Sequence, residues 1–505
     1  MYQTIARGTA PPIMPRQIEE VARHIGRASS AGNRRRRAMT FARTLVLLPC
    51  MASLGWMAPC HGAGFQISST SGAGLGNAFA GGAAAAEDAS TLWSNAAGIA
   101  ELKLTSTQIV LAGHLIAPSL KFRDEGSSPA ANQPLGGTGG DAGQTALVPN
   151  LYVVHPIRGT AWSVGLGVNT PWGLGTKYDA GWIGRFQAQE SEIKTININP
   201  TVGWKPAEAL ALGLGLNIQS IDAKLISQVN YSGALLNAAA QGGIAPGSAN
   251  FNAIAAATPG LQSRARITGD DRGLGWNAGL LWKLDAQGLS RLGLSYRSGI
   301  SYHIKGKVRF GNPDLGGAPG SVAALANAVN AAALFDSPAH TDVKLPAVAN
   351  VSYFRTMGAW DIMADAQWTR WSNIQALSFV RDSGAALQST ALHFRNSWRL
   401  SAGANHRLND TWTLRGGLAY DQTPVRAELR TIRLPDADRI WLTAGAQYRL
   451  NNKRTRIDVG AAYIHVKNAA VQTSGSPPSV TANGLVKGRY SAHSIIASAQ
   501  MTHEF

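Results

Sequence analysis

The chain has 505 residues, of which 45% are apolar and only 15% are charged, and it is rich in glycine (56) and tryptophan (14). This length suits several soluble domains or one large barrel. The formal net charge of +17 suggests nucleic-acid binding, but residues 1–62 hold nine arginines and only two acidic residues. The other 37 basic and 27 acidic residues are scattered along alternating segments without a basic helical stripe, which argues against a nucleic-acid partner.

The N-terminal region, residues 1–62, is predicted to be an extension and export signal that is removed. Consecutive arginines precede an apolar stretch, residues 45–58, which is too short to span a bilayer as a helix. Small residues follow this stretch, and we expect cleavage after Gly62. Cleavage there also removes Cys50 and Cys60, the only two cysteines, so the mature protein is expected to have neither disulfides nor thiolate metal sites.

The segment after the signal, residues 63–102, is dense in Gly, Ala and Ser and contains an acidic pair. It has no long alternation of apolar and polar residues, so it does not fit a barrel strand. A flexible linker is one interpretation. Phe65, Phe79 and Trp93 argue against a purely solvated segment, because large apolar side chains favour packing.

Beyond residue 102 the dominant pattern is strict alternation, which is typical of β-strands with one apolar and one polar face. Residues 441–450, 361–369 and 398–405 place large apolar residues and alanines on one face and mainly small polar or charged residues on the other. No apolar run of eighteen or more residues occurs here, so membrane-spanning helices are not expected. The small polar face suits a lumen, and Trp or Tyr near strand ends suits the interfacial girdles of a membrane barrel.

The links between these segments predict how many strands the barrel has. Six short polar turns alternate with seven longer links, which gives fourteen strands with the long links at one end, as in outer-membrane barrels. We therefore predict an all-β fold, a 14-stranded antiparallel transmembrane β-barrel over residues 103–505, with short helices in two of the long links. The long links are expected near residues 124–144, 172–187, 231–263, 311–341, 379–392, 424–432 and 469–486.

The chain ends with a last alternating segment, residues 495–505, whose apolar face ends at Phe505. A terminal aromatic residue on the lipid face resembles the signal by which such barrels are recognised for membrane insertion. Phe505 is therefore predicted to engage the barrel-insertion machinery, and outer-membrane lipids are expected around the barrel.

Residues 63–102 resemble the N-terminal hatch of the FadL family of outer-membrane long-chain fatty acid and hydrocarbon transporters. The family turn Asn-Pro-Ala-Gly has a counterpart here with alanine at position 96. The blocks NTPWGLGTKYDAGWIGRF, LRGGLAYDQTPV and LPDADRIWLTAGAQY, among others, extend the resemblance over some four hundred residues. The hatch counterparts are Gly64-Phe65, Ser71-Gly72, Phe79-Ala80-Gly81, Glu87-Asp88 and Asn95-Ala96-Ala97-Gly98.

The resemblance implies that residues 63–102 plug the lumen with short helices and that the protein takes up hydrophobic ligands passively. In this family the ligand is captured between outer loops, passes to a site against the hatch and leaves sideways through a gap in the wall. The chain is expected to be a monomer without a cofactor or a metal ion. The predicted hatch residues are Phe79, Glu87, Asp88 and Asn95.

The stretch VGLGVNTPWGL, residues 164–174, begins as a strand and then carries a breaker. Proline cannot donate to a strand ladder, and glycine permits unusual backbone angles. From the residues alone, the strand ends at Val168 and Pro171 opens an outer loop. The family resemblance favours an inward kink of the third strand that makes the lateral opening. The predicted gate and ligand contacts are Phe65, Asn169, Pro171, Trp172, Gly173, Lys177 and Arg185.

Charged residues on the polar strand faces predict a network inside the lumen. Arg297, Arg399 and Arg415 fall on these faces, and Asp365 can pair with one of them. We expect Arg399, Arg415 and Asp365 to hold the hatch rather than to contact the ligand. For the loop cations near the breaker, carboxylate binding and simple solvation are both open interpretations.

Catalysis is not expected from the sequence. No Gly-x-Ser-x-Gly elbow precedes a helix, no His-Glu-x-x-His helix occurs, and the eleven histidines are isolated. The rival from another functional class is a barrel-embedded hydrolase. A third interpretation is a general-diffusion porin, but a hydrophobic hatch would block its open pore. The ligand is left open, because a fatty acid requires positive donors in the pocket whereas an aromatic or alkane hydrocarbon does not.

Overall fold

The structure is a computed structural model that describes residues 64–473 and 482–505. The predicted signal, its cleavage after Gly62 and both cysteines lie outside these residues. Within them, no helix is long and apolar enough to cross a membrane. The strands follow one another around a single sheet.

The described residues form the predicted closed barrel of fourteen antiparallel strands. The last strand pairs with the first from Gln108–Glu504 to Asp124–Gly488, so the sheet has no free edge. Nine of the strands are continuous. They are β1 (Gln108–Asp124), β2 (Ala146–Pro156), β4 (Glu190–Ala207), β5 (Leu210–Asn230), β6 (Gln262–Lys283), β11 (Trp412–Asp421), β12 (Arg439–Arg449), β13 (Thr455–Gln472) and β14 (Lys487–Glu504).

The other five strands are each broken into two segments. The sequence predicts the break in β3, but the breaks in β7 to β10 are not apparent from alternation. These strands are β3 (Trp162–Asn169 and Gly173–Lys177), β7 (Ser290–Arg297 and Ile300–Phe310), β8 (Ser337–Leu345 and Val348–Met357), β9 (Trp360–Thr369 and Ala376–Arg381) and β10 (Ala386–Ala391 and Ser397–Arg407).

Alternation along the strands produces an apolar outer surface. Leu442 of β12 is 60% exposed, whereas its neighbours Trp441 and Thr443 are buried. Exposed tryptophans such as Trp162 and Trp204 lie beside the short turns, where they form part of an aromatic girdle. A soluble sandwich would hide its apolar face, so this arrangement identifies a membrane barrel.

Residues 64–102 precede β1 and pack inside the barrel, where they form the hatch. The hatch contains the short helices α1 (Gly72–Gly76), α2 (Thr91–Ser94) and α3 (Gly98–Glu101). Lumen-facing glycines allow its close approach: a Cβ atom at Gly417 of β11 would lie 2.3 Å from the carbonyl carbon of Asn77.

Two of the long links contain helices, as expected. These helices are α4 (Tyr231–Gln241), α5 (Ala249–Ala257) and α6 (Gly320–Ala332). The expectation of a long link at residues 379–392 is wrong, because β9 and β10 continue there as a hairpin. Phe379 is the only large apolar residue of this hairpin that is buried, and the outward residues are small or polar, so the segment lacks the pattern of a membrane strand.

Candidate ligand pathway

The third strand is interrupted at residues 170–172, where three residues of β3 oppose two of β4. This excess of one residue is a β-bulge. Thr195 of β4 bridges the break, because its Oγ1 accepts the Trp172 N–H at 3.0 Å and donates to the Trp172 carbonyl oxygen at 2.8 Å. The strand pairs with β4 again from Gly173, so the interpretation in which it ends at Val168 is wrong.

The first residues of the hatch pair with the broken part of β3. The Ile67 N–H donates to the Pro171 carbonyl oxygen at 2.9 Å, and the Gly173 N–H donates to the Phe65 carbonyl oxygen at 2.9 Å. Pro171 contributes only its carbonyl oxygen to this contact, so its missing N–H is not required. The residue that breaks the barrel ladder therefore provides a docking edge for the hatch.

A gap in the barrel wall lies beside this break, between β2 and β3. The pairing of the two strands stops at Leu151 and Val168. In the described chain, residues 146–150 of β2 pair with β1 but with no residue of β3. The next contact between the two sides is the bridge from Gly143 to Thr176. The opening therefore extends over residues 146–150 of β2.

The hatch closes this gap from the lumen side. Asn150 Nδ2 donates to the Ser69 carbonyl oxygen at 3.1 Å. Ile67 belongs to the same buried cluster as Val148 of β2. A Cβ atom at Gly173 would lie 2.7 Å from Ile67 Cδ1, so this hatch residue also touches the other side of the gap.

An apolar cavity lies next to the break, towards the end of the barrel that carries the long links. Its lining comes from β3 to β10 and is mostly Ile, Leu, Val and Phe, with Phe65 of the hatch at one side. Arg433, in the link before β12, is the only Lys or Arg among these described lining residues. Its Nη1 donates to Ser191 Oγ at 3.2 Å. Burial lowers the pKa of Arg433 to about 10, so the guanidinium remains charged at neutral pH.

Phe65, Trp172 and Trp371 form an aromatic cluster at the edge of this cavity. The ring centroids of Phe65 lie 5.9 Å from Trp172 and 4.9 Å from Trp371, both edge-to-face. A second, more polar cavity is lined by hatch residues, Trp172, Arg297 and Arg399. Phe65 of the aromatic cluster therefore lines the apolar cavity, whereas Trp172 lines the polar one.

The acidic pair of the hatch is bound to the barrel wall. The buried Arg415 of β11 donates to Glu87 at 2.8 Å and to Asp458 of β13 at 3.1 Å. Burial alone would raise the pKa of Glu87, but the Arg415 guanidinium lowers it below its usual value. Asp88 accepts a hydrogen bond from Gln500 Nε2 of β14 at 2.8 Å. Arg415 of β11 and Gln500 of β14 therefore both bind this part of the hatch to the wall.

Other lumen residues singled out from the sequence also contact the hatch or one another. Arg297 donates to the Trp93 carbonyl oxygen at 2.8 Å, and its guanidinium lies 3.5 Å from the centre of the Trp93 ring. Arg399 lies 3.8 Å from Asp365 and 5.9 Å from the Phe79 ring. The structure thus brings Arg297, Asp365 and Arg399 to the polar cavity.

The turn at residues 95–98 forms without the family proline. Asn95 Oδ1 accepts the Ala97 N–H at 3.0 Å, and its carbonyl oxygen accepts the Gly98 N–H at 2.9 Å. Asn95 Nδ2 also donates to the Leu280 carbonyl oxygen of β6 at 3.0 Å. The asparagine therefore both closes the turn and ties it to the barrel wall.

The two loop cations near the breaker line neither of these two cavities. Lys177 is exposed at the end of β3. Arg185 is 2% exposed and donates to the carbonyl oxygens of Pro134 at 2.8 Å and Trp182 at 3.1 Å. Burial lowers the pKa of Arg185. Its donors hold two outer links together rather than facing the cavities.

Three residues of the pathway are not apparent from the sequence pattern: Trp371, Arg433 and Asp436. Asp436 Oδ2 accepts the Gly64 N–H at 2.8 Å and the Thr423 hydroxyl at 2.6 Å, so it anchors the first described residue of the hatch. The block LPDADRIWLTAGAQY contains Asp436, and its family resemblance is the sequence signal that points to this residue.

Phe505 lies at the seam where the barrel closes. Its ring is 48% exposed on the outer surface, and its N–H donates to the Thr107 carbonyl oxygen at 3.1 Å. Among the residues that the structure describes, no group of three His, Cys, Asp or Glu side chains is arranged to hold a metal ion.

Comparison with protein families gives one match that covers most of the chain. The family described as outer membrane protein transport protein (OMPP1/FadL/TodX) matches residues 52–505. The long-chain fatty acid transport protein of Escherichia coli K12 is 30% identical over 414 residues, which cover 81% of this chain and 89% of that protein. The protein of the same name from Escherichia coli O6:H1 is 32% identical over 406 residues, which cover 80% and 87%.

Solved structures have the same architecture. A crystal structure of a Pseudomonas aeruginosa FadL homologue has a TM-score of 0.76 and 26% identity, and the match covers 88% of this chain and 100% of that chain. The Pseudomonas putida toluene transporter TodX has a TM-score of 0.58 and 18% identity, with coverage of 83% and 94%, and so shares the fold. This chain therefore belongs to the OMPP1/FadL/TodX family of outer-membrane transport proteins.

Proposed function

We propose that this protein takes up long-chain fatty acids or other hydrophobic compounds across the outer membrane and releases them sideways through the gap at β3. Its relatives from Escherichia coli are named long-chain fatty acid transport proteins. The observation that carries the proposal is that the wall gap and the hatch segment closing it meet at residues 170–173, and that the apolar cavity begins beside them, at Phe65 and Leu174.

The route begins in the apolar cavity and ends in the lipid. A ligand in the cavity faces the aromatic cluster of Phe65, Trp172 and Trp371. Release of the hatch start from Pro171 and Gly173 breaks two backbone hydrogen bonds and joins the cavity to the wall gap. Each CH₂ group that reaches lipid gains about 0.8 kcal/mol relative to water, so a side exit spares the ligand a passage through the periplasm.

Transport by this route requires no catalysis, since the concentration gradient and partitioning into lipid drive it. A general-diffusion porin is disfavoured because Arg415 and Asn95 tie the hatch to the wall inside the lumen. A barrel-embedded hydrolase is disfavoured because the cavity beside the gap is lined mostly by aliphatic and aromatic residues.

Arg433 favours fatty acids over uncharged hydrocarbons as ligands. In the described part of the chain no carboxylate forms an ion pair with it, although the cavity around it is apolar. A partly buried cation without an anion is destabilising, and a guanidinium binds a carboxylate through two parallel hydrogen bonds. A fatty acid that enters the cavity brings the missing anion, whereas toluene or an alkane does not.

A disulfide between the hatch and β3 tests the lateral route. Gln66 and Trp172 lie opposite each other in an antiparallel bridge. The backbone hydrogen bonds join the residues on either side of them and not Gln66 and Trp172 themselves. Cα atoms of such a pair lie about 4.5 Å apart, which a disulfide accommodates. We expect the variant with Gln66→Cys and Trp172→Cys to import labelled oleate only after reduction, because the oxidised hatch cannot leave the gap.

The two single-cysteine variants are the controls, and their uptake should not depend on the redox state. Both native cysteines lie in residues 1–62, which are expected to be removed. Equal uptake by the oxidised and reduced double variant, with the crosslink demonstrated, would show that the ligand leaves by another way, such as downward past the hatch.

A further inference from the structure

The outer surface of the barrel becomes basic beyond the apolar band on β6 and β7. Leu274 and Trp276 of β6 are 69% and 51% exposed and face the lipid. From Arg272 onward, the outward positions of β6 and of the neighbouring segment of β7 are rich in cations. These are Arg264, Arg266 and Arg272 of β6 and Lys305, Lys307 and Arg309 of β7, and the one outward carboxylate among them, Asp270, lies opposite Lys305.

Arg266 and Arg309 lie directly opposite each other on the two strands. Like charges in this position destabilise a sheet unless an anion lies between them. Arg123 and Arg489 form the same kind of pair between β1 and β14, but there Glu125 lies 2.6 Å from Arg123 and 3.6 Å from Arg489. Within the described residues, neither Arg266 nor Arg309 has a carboxylate partner of this kind.

The height of the pair above the membrane indicates what supplies the anion. Ten residues separate Trp282, in the girdle near the short turns, from Arg272. At about 3.3 Å per residue and a tilt of about 40°, this distance spans about 25 Å, the height of the apolar band. Arg266 lies six residues farther, about 15 Å above the hydrocarbon edge by the same geometry. A phospholipid headgroup layer of roughly 5–8 Å does not reach it.

We propose that Arg266, Lys307 and Arg309 bind phosphate groups on the sugars of a glycolipid in the outer leaflet, that is, of lipopolysaccharide. A phosphate between the two arginines occupies the position that Glu125 takes in the pair on β1 and β14. Guanidinium groups bind phosphate through paired, charge-assisted hydrogen bonds, and Lys307 adds a third cation two positions along β7. Only a lipid with an extended, phosphorylated headgroup reaches this height.

Binding of purified, EDTA-washed protein to rough lipopolysaccharide with a phosphorylated inner core tests the proposal. Lipid A alone and phosphatidylglycerol are the comparison ligands, and we expect weaker binding of both. Each interfacial cation contributes about a factor of five, so Arg266→Gln with Arg309→Gln should weaken binding about 25-fold. Added salt should weaken binding to the native protein more than to this variant.

The matched control replaces the neutralised pair, Arg123→Gln with Arg489→Gln, and should leave the affinity unchanged. Arg266→Lys with Arg309→Lys should retain most of the binding, because the charge remains. Heat-modifiable migration on a gel shows that each variant is folded. Equal affinity of the native protein and the double glutamine variant, or equally tight binding of phosphatidylglycerol, would overturn the proposal.

Discussion

Arg415 and Arg433 both lie inside the barrel, but their partners differ. Arg415 donates to Glu87 and Asp458, so its charge is balanced and it joins the hatch to two strands. Arg433 faces an apolar cavity and makes its side-chain contact with Ser191 Oγ. The first environment suits a structural role, whereas the second leaves a charge available to a ligand.

Replacement of Arg433 tests the choice between a fatty acid and a hydrocarbon. Arg433→Met should weaken oleate binding roughly tenfold or more, because a hydrogen bond to a charged group contributes about 1.5–3 kcal/mol. Binding of hexadecane should be unchanged or stronger. Arg426→Met is the control, since Arg426 lies in the same link but does not line the apolar cavity. An equal loss for oleate and hexadecane would refute a head-group role for Arg433 and leave the transport route standing.

The contact between Glu87 and the wall should make the hatch sensitive to acid. The pKa of Glu87 is lowered in the folded protein from its usual value of 4.5. Its stabilising contribution is therefore complete above about pH 4.5 and is lost as the pH falls through the lower, folded pKa. The thermal midpoints of the native protein and Glu87→Gln in detergent should differ most at neutral pH and should converge as the pH falls below 4.5 and through the lower, folded pKa. A difference that does not change with pH would contradict this assignment.

At the scale of elements, alternation predicts the strands well because lipid and lumen impose opposite polarity on successive residues. The break at Pro171 is visible in the sequence because proline cannot donate to a strand ladder. Its partner is not visible, since the hatch residues Phe65 to Ile67 pair with it from about a hundred positions away. The breaks in β7 to β10 are also hidden, because they depend on how the outer halves of these strands surround the cavity.

Two adjacent glycines of β11 allow a direct test of how tightly the hatch fits. A Cβ atom at Gly417 would lie 2.3 Å from the carbonyl carbon of Asn77, whereas one at Gly416 has nothing within 4 Å. Gly417→Ala should therefore destabilise the folded protein by about 1–3 kcal/mol, the usual range for overpacking. Gly416→Ala should be neutral or slightly stabilising. Thermal midpoints in detergent compare the two, and equal midpoints would argue against close packing of the hatch on β11.

For the whole molecule, the fold class, the strand number and the existence of a hatch follow from the sequence together with its family resemblance. The ligand site does not, because Arg433, Phe65 and Trp371 come from three distant parts of the chain. Lys177 and Arg185, which are close to Pro171 in sequence, line neither cavity. Proximity along the chain is a poor guide here, since alternate residues of each strand point to opposite sides of the wall.

The last residue of the chain tests how the whole barrel is assembled. The Phe505 ring is 48% exposed on the lipid side, while its backbone N–H bonds to Thr107 next to the paired strands β14 and β1. The ring therefore adds little to the stability of a barrel that has already closed. If the barrel-insertion machinery recognises the ring, Phe505→Glu should lower the yield of folded protein in cells several-fold, whereas Phe505→Trp should preserve this yield. The same two variants, refolded from urea into detergent, should reach similar yields and thermal midpoints. Equal loss in cells and in detergent would mean that Phe505 acts on stability rather than on recognition.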